Sequence, residues 1–221
     1  MNSITLLVIE AILCFATQVF LYKNYKVAGL YTYTITALIL SCIMSLKTIT
    51  IYDYDINLGL IPFITIFISC NILIQKKGPE VIKNLILTLI STTLISYIII
   101  YLVSLMNSSN INLFTSASYN NIFNDSLRMY FANFVTILYS LLLNSKLYYY
   151  LKKMKNNILI SNLFSTIIIQ FIASILFGLI AYVFIKEPID IIKIIMIRYL
   201  MSLIVGIIGT IPIYLTKKVV E

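Results

Sequence analysis

The chain has 221 residues, of which 61% are hydrophobic and 11% charged, with no histidine and a formal net charge of +8. A soluble domain of this length needs a larger polar surface to cover its core, so the composition excludes a soluble globular protein and indicates an integral membrane protein. The basic excess lies between apolar runs and not on a solvated platform interleaved with aromatics, which argues against a nucleic-acid partner.

A helix that crosses a bilayer needs about 20 mostly apolar residues. Seven stretches approach that length, near Ser3–Tyr22, Val27–Ser45, Leu58–Gln75, Asn84–Met106, Met129–Ser145, Ile158–Phe184 and Ile194–Leu215. No strand is expected, because alternation is absent and an open sheet edge finds no partner in lipid. The predicted fold is all-α: a polytopic helical bundle of about seven transmembrane helices, forming one domain over residues 1–221. The first stretch reads as a retained helix and not a cleaved leader, since its front is uncharged and no small-x-small site follows.

Basic residues in short loops set orientation. With the N-terminus outside and the C-terminus inside, the inner side holds Lys23, Lys26, Lys76, Lys77, Lys83, Lys146, Lys152, Lys153, Lys155, Lys217 and Lys218, which is 11 of 16 basic residues. Lys47, Arg128, Lys186, Lys193 and Arg198 fall outside, together with Asp53, Asp55, Asp125, Glu187 and Asp190. The net charge therefore reads as topology and contact with anionic lipid of the inner leaflet.

Enzymatic chemistry has little to work with. The seven stretches contain one acid, Glu10, and hydrolysis or group transfer needs a nucleophile with a base or a pair of carboxylates. Glu10 is either protonated or able to reach water, or else a coupling group. Cys14, Cys42 and Cys70 fall at different depths of an up-down bundle and lack histidine or paired carboxylates beside them. They are expected to be free thiols, with no metal and no cofactor.

Neutral polar groups are abundant instead. Asn71 and Gln75 sit one turn apart on one helix face. Asn133, Ser140 and Asn144 form a stripe in the fifth stretch, and Ser161, Ser165, Thr166 and Gln170 form another in the sixth. Each residue alone is explained by hydrogen bonding between helices. Together they could line a pocket for a planar, uncharged, hydrogen-bonding ligand. Gly206 and Gly209 would let a partner helix approach closely.

These residues also carry a resemblance. The chain reads "GLY" at Gly29–Tyr31, "SCIMSLK" ending at Lys47, "LG" at Leu58–Gly59 and "NILIQKKG" ending at Gly78. Arg128, Ser140 and Asn144 follow, then Asn162, Ser165, Thr166, Gln170 and Ala173, and finally Gly209, Thr210, Pro212 and Tyr214. In that order and spacing the chain resembles the queuosine precursor transporter family, also called putative vitamin uptake transporters, from about Gly29 to Lys218. The preceding helix and loop, residues 1–26, are an addition to that core. Asn71, Gln75 and Asn144 stand where the family has acids, Ala173 and Gly209 also replace acids, and Ser202 replaces a lysine.

The resemblance implies a multi-pass transporter of a bacterial cytoplasmic membrane that imports 7-deazaguanines such as preQ0 or preQ1. It further implies a substrate site formed by Lys47, Asn71, Gln75, Arg128, Asn133, Ser140, Asn144, Asn162, Ser165, Thr166 and Gln170, with Glu10 as a possible coupling residue. The expected partners are the lipid bilayer, the small molecule, and a homo-oligomer or membrane partner subunit. A diverged transporter or substrate-binding subunit for another small molecule, or a scaffold that does not transport, would keep the same fold.

Overall fold

The structure, a computed structural model, describes residues 3–51, 54–106, 113–155 and 157–217, excepting the side chains of 113–127. The charges assigned above to Asp53, the Asp125 side chain and Lys218 lie outside the described residues. The fold is an all-α helical membrane bundle. Among the described residues, five helices are long and apolar enough to cross a membrane, counting the kinked first helix as one.

Helix α1 (Ser3–Met44) consists of two helices joined at a kink where a loop over Lys23–Lys26 is expected. It breaks at one residue, Lys26, whose φ of 54° is left-handed, a conformation uncommon for any residue with a Cβ. The break leaves two arms of about 34 and 27 Å, each near the thickness of a hydrocarbon core. Past the kink the chain folds tightly onto its preceding turns. A Cβ at Gly29 would stand 2.2 Å from the Leu21 carbonyl oxygen, so only glycine fits there.

Strands β1 (Thr48–Ile51) and β2 (Tyr54–Asn57) form an antiparallel hairpin, with Thr48 opposite Asn57 and Ile51 opposite Tyr54. This corrects the expectation of no strand. The objection to open edges holds within hydrocarbon, whereas this hairpin joins two helix ends. Its seat is specific. Ser41 donates to the Gly59 carbonyl at 2.8 Å, Asn57 donates to the Ser45 carbonyl at 3.0 Å, and the Gly59 amide donates to Asn57 at 2.9 Å. A Cβ on Gly59 would meet the Ser41 carbonyl oxygen at 2.2 Å, so glycine is what lets the next helix start against α1.

Helix α2 (Leu60–Lys77) is the centre of the bundle, and every residue from Leu60 to Ile74 is buried. A helix apolar all round is suited to that position. It ends at Gly78, whose φ of 82° stops the helix. Helix α3 (Val81–Ser104) packs on α1 and α4 and exposes Leu94, Ile95, Ile98 and Ile99. Exposed large apolar side chains recur on most helices, as a surface facing hydrocarbon requires and a water-facing one would not tolerate.

Helix α4 (Leu113–Lys155) is far longer than the Met129–Ser145 stretch, and the segment expected as a loop from Lys146 is its final turns. Helix α5 (Ile158–Tyr182) starts at once, with the Asn157 side chain accepting from the amides of Leu159 and Ile160. Helix α6 (Pro188–Ile208) starts earlier than expected, with proline in its first turn and Asp190 beside the positive helix end. Helix α7 (Thr210–Lys217) follows after a break at Gly209.

Lysines gather at one end of the bundle. Lys76 donates to the Lys217 carbonyl and Lys152 to the Gln75 carbonyl, both at 3.3 Å. Burial, and then the charge of Lys217, push the Lys152 ammonium below the ordinary lysine range. The hairpin, Lys186, Glu187 and Asp190 belong to the opposite helix ends.

Candidate functional site

Three of the sequence-predicted amides meet in the core. Asn144 on α4 donates to the Asn71 carbonyl oxygen on α2 at 2.8 Å, and Asn71 donates to Asn162 on α5 at 2.9 Å. Asn162 in turn donates to Thr210 Oγ1 at 2.8 Å and to the Gly206 carbonyl at 3.2 Å. All four side chains are buried. The chain of bonds crosses the bundle from α4 to α7, and each amide uses its donor on a neighbouring helix. Gly206 also lets α6 lie against Thr166 of α5, where a Cβ would stand 2.4 Å from Thr166 Cγ2. Gly209 similarly meets Ile68, so the close approach expected of these glycines is used within the chain.

Both arms of α1 are tied to α2 as well. Gln18 donates to Ser69 at 2.6 Å and to the Thr65 carbonyl at 3.2 Å, while Tyr33 donates to Thr65 Oγ1 at 2.8 Å. Neutral bonds of this kind between membrane helices contribute about 0.6 kcal/mol each on average.

About 12 Å along α2 and α6 from that layer, toward the hairpin, the accounting changes. Asn133 donates to Ser45 at 2.7 Å, but its carbonyl oxygen has no partner. Neither do the hydroxyls of Thr136, Ser140 and Ser174. Arg198 on α6 is likewise buried, 5% exposed, with both terminal nitrogens unpartnered. Its guanidinium lies 3.7 Å from the Phe177 ring centroid and 4.8 Å from that of Phe63. Stacking of this kind contributes about 0.5–2 kcal/mol, well short of the several kcal/mol that desolvating the charge costs.

Arg198 corrects the sequence reading, which left it on the outer side. Pro188 and Asp190 start α6 ten residues before it, so Arg198 lies about 15 Å into the helix. The proline and acid at the head of the run were the signal. Lys193 had drawn the predicted boundary inward to Ile194.

The remaining predicted residues disperse. Lys47 is exposed at the base of the hairpin, and Gln75 is half-buried at the lysine-rich end. Arg128 donates to the carbonyls of Ile180 at 2.7 Å and of Val183, closing the last turn of α5. That is a favourable place for a cation. Ser165 bonds back to the Asn162 carbonyl at 3.1 Å, Thr166 packs on Gly206, and Gln170 is buried on the same helix. Glu10 is half-buried on the first arm of α1, with one carboxylate oxygen unpartnered. Cys42 and Cys70 are buried and Cys14 half-buried, all three free.

A bundle with a sealed amide layer and an unsatisfied polar layer above it is suited to holding a small solute partway across a membrane. One protein family, described as putative vitamin uptake transporter, matches residues 57–216. The chain belongs to that family. The match starts at the hairpin's last residue and takes in both polar layers, Arg198 included. No curated protein and no solved structure matches the chain. As a vitamin uptake transporter family member it is a multi-pass membrane protein of the small-molecule uptake class, in contact with the lipid bilayer.

Proposed function

We propose that the chain imports a planar heterocycle of the 7-deazaguanine type, such as preQ0 or preQ1, held between the inward faces of α4, α5 and α6. The unpartnered polar set of Asn133, Thr136, Ser140, Ser174 and Arg198 carries this reading. Buried polar groups are nearly always paired, and a ligand edge rich in donors and acceptors would pair these. Gln170 and Thr166 lie on the same helix as Ser174 and would extend the site, while Asn71, Asn144 and Asn162 frame it. In this reading α1 crosses twice, split at Lys26, and α4 crosses once. That gives seven spans in a bacterial cytoplasmic membrane, with the N-terminus outside and the lysine-rich end inside.

Uptake of labelled preQ1 into cells lacking their own transporter tests the substrate. Accumulation above vector control supports it, and accumulation at control level contradicts it. For orientation, single cysteines at Met154 and Ile185 in a cysteine-free background should react with an impermeant thiol reagent from opposite sides. Labelling of both from outside intact cells would sink the seven-span arrangement.

A scaffold that does not transport is the second reading. The amide chain favours it, because Asn144, Asn71 and Asn162 satisfy one another with no ligand. It leaves the Arg198 layer unexplained.

A further inference from the structure

The neutral amides suggested an uncharged ligand; Arg198 changes that expectation. We propose that Arg198 forms an anion-recognition subsite, and that among planar heterocycles of this type the site prefers one that carries a carboxylate. This deepens the importer reading and rests on it.

Among the described residues the charge has no hydrogen-bond or ion-pair partner. Arg198 is 5% exposed and its Nη1 and Nη2 have no hydrogen-bond partner. Asp55 lines the cavity beside it, yet Asp55 is itself exposed and accepts from Thr50 at 2.9 Å. Among the described residues no carboxylate lies within ion-pairing distance of the guanidinium. A buried cation in such surroundings is completed by an anion.

The geometry selects the kind of anion. Phe177 covers one face of the guanidinium at 3.7 Å and Phe63 approaches at 4.8 Å, so the rings hold the side chain in place and leave its N–H edge for a ligand. That edge is a planar fork, which matches the two oxygens of a carboxylate. On α4 and α5, the Thr136, Ser140 and Ser174 hydroxyls and the Asn133 carbonyl oxygen are buried and unpartnered and would be available to the ring. A planar molecule with one carboxylate uses both parts.

The cavity is closed in this conformation. It is lined by Asp55, Ile56 and Asn57 from the hairpin and by Leu60, Phe177 and Arg198 from the bundle, and its free volume is about 10 Å³. That is room for one water. Entry of a ligand requires the hairpin to draw away from α6, and the Asp55 carboxylate at the rim competes with the incoming anion.

Two matched pairs of planar compounds test the subsite on full-length protein in detergent: 7-carboxy-7-deazaguanine with preQ0, and nicotinate with nicotinamide. The readout is the ligand-induced melting shift and the Kd drawn from it. The carboxylate of at least one pair should bind more tightly than its neutral partner. Arg198→Gln should weaken carboxylate binding on the order of 30-fold or more and leave the neutral partner nearly unchanged. Arg198→Lys keeps the charge but loses the fork, and should retain part of the preference. Asp55→Asn should strengthen carboxylate binding. Equal shifts within both pairs, no shift by any of the four, or a preference that survives Arg198→Gln would overturn the subsite. The two readings fail separately. PreQ1 uptake without a carboxylate preference removes only the subsite, whereas an Arg198-dependent preference for nicotinate with no deazaguanine transport removes the deazaguanine reading and leaves the subsite.

Discussion

In the layer nearer the lysine-rich end, Asn144 donates to Asn71, Asn71 donates to Asn162, and Asn162 donates to both Thr210 and the Gly206 carbonyl. In the layer nearer the hairpin, Arg198, Thr136, Ser140, Ser174 and the Asn133 carbonyl oxygen are as deeply buried and have nothing to bond. The residue types overlap and the burial is the same. What differs is whether the helices themselves complete the pairing. A completed layer is explained by folding alone, since its bonds offset the cost of burying its amides. An incomplete layer costs stability, about 1–3 kcal/mol for each unpaired group, a cost that the proposed ligand would offset. Burial and polarity therefore do not by themselves distinguish the two layers, whereas pairing does.

Substitutions separate the layers by size and sign of effect. The largest loss is expected at Asn71, the middle of the amide chain. Asn71→Leu leaves the Asn144 amide and the Asn162 carbonyl oxygen unpaired, and should destabilise by about 2–4 kcal/mol, read as a lower melting temperature in detergent. A loss under half a kcal/mol would mean the chain of bonds contributes little. Gly206→Ala should cost about 1–3 kcal/mol through overpacking against Thr166. The double variant with Thr166→Ala should recover part of it, because the facing methyl is then gone. The smallest effect is expected in the open layer. Ser140→Ala removes a hydroxyl that has no partner and should change stability by less than about 0.5 kcal/mol while weakening ligand binding. A large loss of stability at Ser140 would mean its hydroxyl is paired after all and would blur the distinction between layers.

Much of this architecture was legible in the chain. The apolar runs gave the helices, because hydrocarbon admits few other structures; Asn71, Asn144 and Asn162 meet from three helices, whereas Gln75 and Asn133, on the same expected faces as Asn71 and Asn144, do not join them. The hairpin was missed because Thr48–Asn57 is short and lies between long helical signals, where no lipid argument applies. The kink at Lys26 was read as a loop, since a single left-handed residue inside a helix leaves only the nearby Gly29 as a trace. Arg198 was misplaced because a basic residue near the end of an apolar run resembles a boundary charge. Its depth depends on where α6 begins, which Pro188 sets. Arg128 was read for its charge, whereas its bonds to Ile180 and Val183 depend on the end of a helix more than fifty residues away. Whether a buried amide is paired is a property of the packed bundle, so the contrast between the layers has no counterpart in the sequence.

The central claim is that the amide layer holds the bundle and the Arg198 layer is left unpaired for a ligand. Melting temperatures of two purified, ligand-free variants test it directly. Asn71→Leu should melt below wild type, because it breaks completed pairs. Arg198→Met keeps much of the side-chain volume and contact with Phe177 and Phe63 while removing an uncompensated buried charge, a change that is often neutral or stabilising, so it should melt at or above wild type by up to a few degrees. Opposite signs, or no loss in Arg198→Met beside a clear loss in Asn71→Leu, is the predicted result. A melting temperature for Arg198→Met as far below wild type as that of Asn71→Leu would contradict the account, because Arg198 would then be part of what holds the helices together.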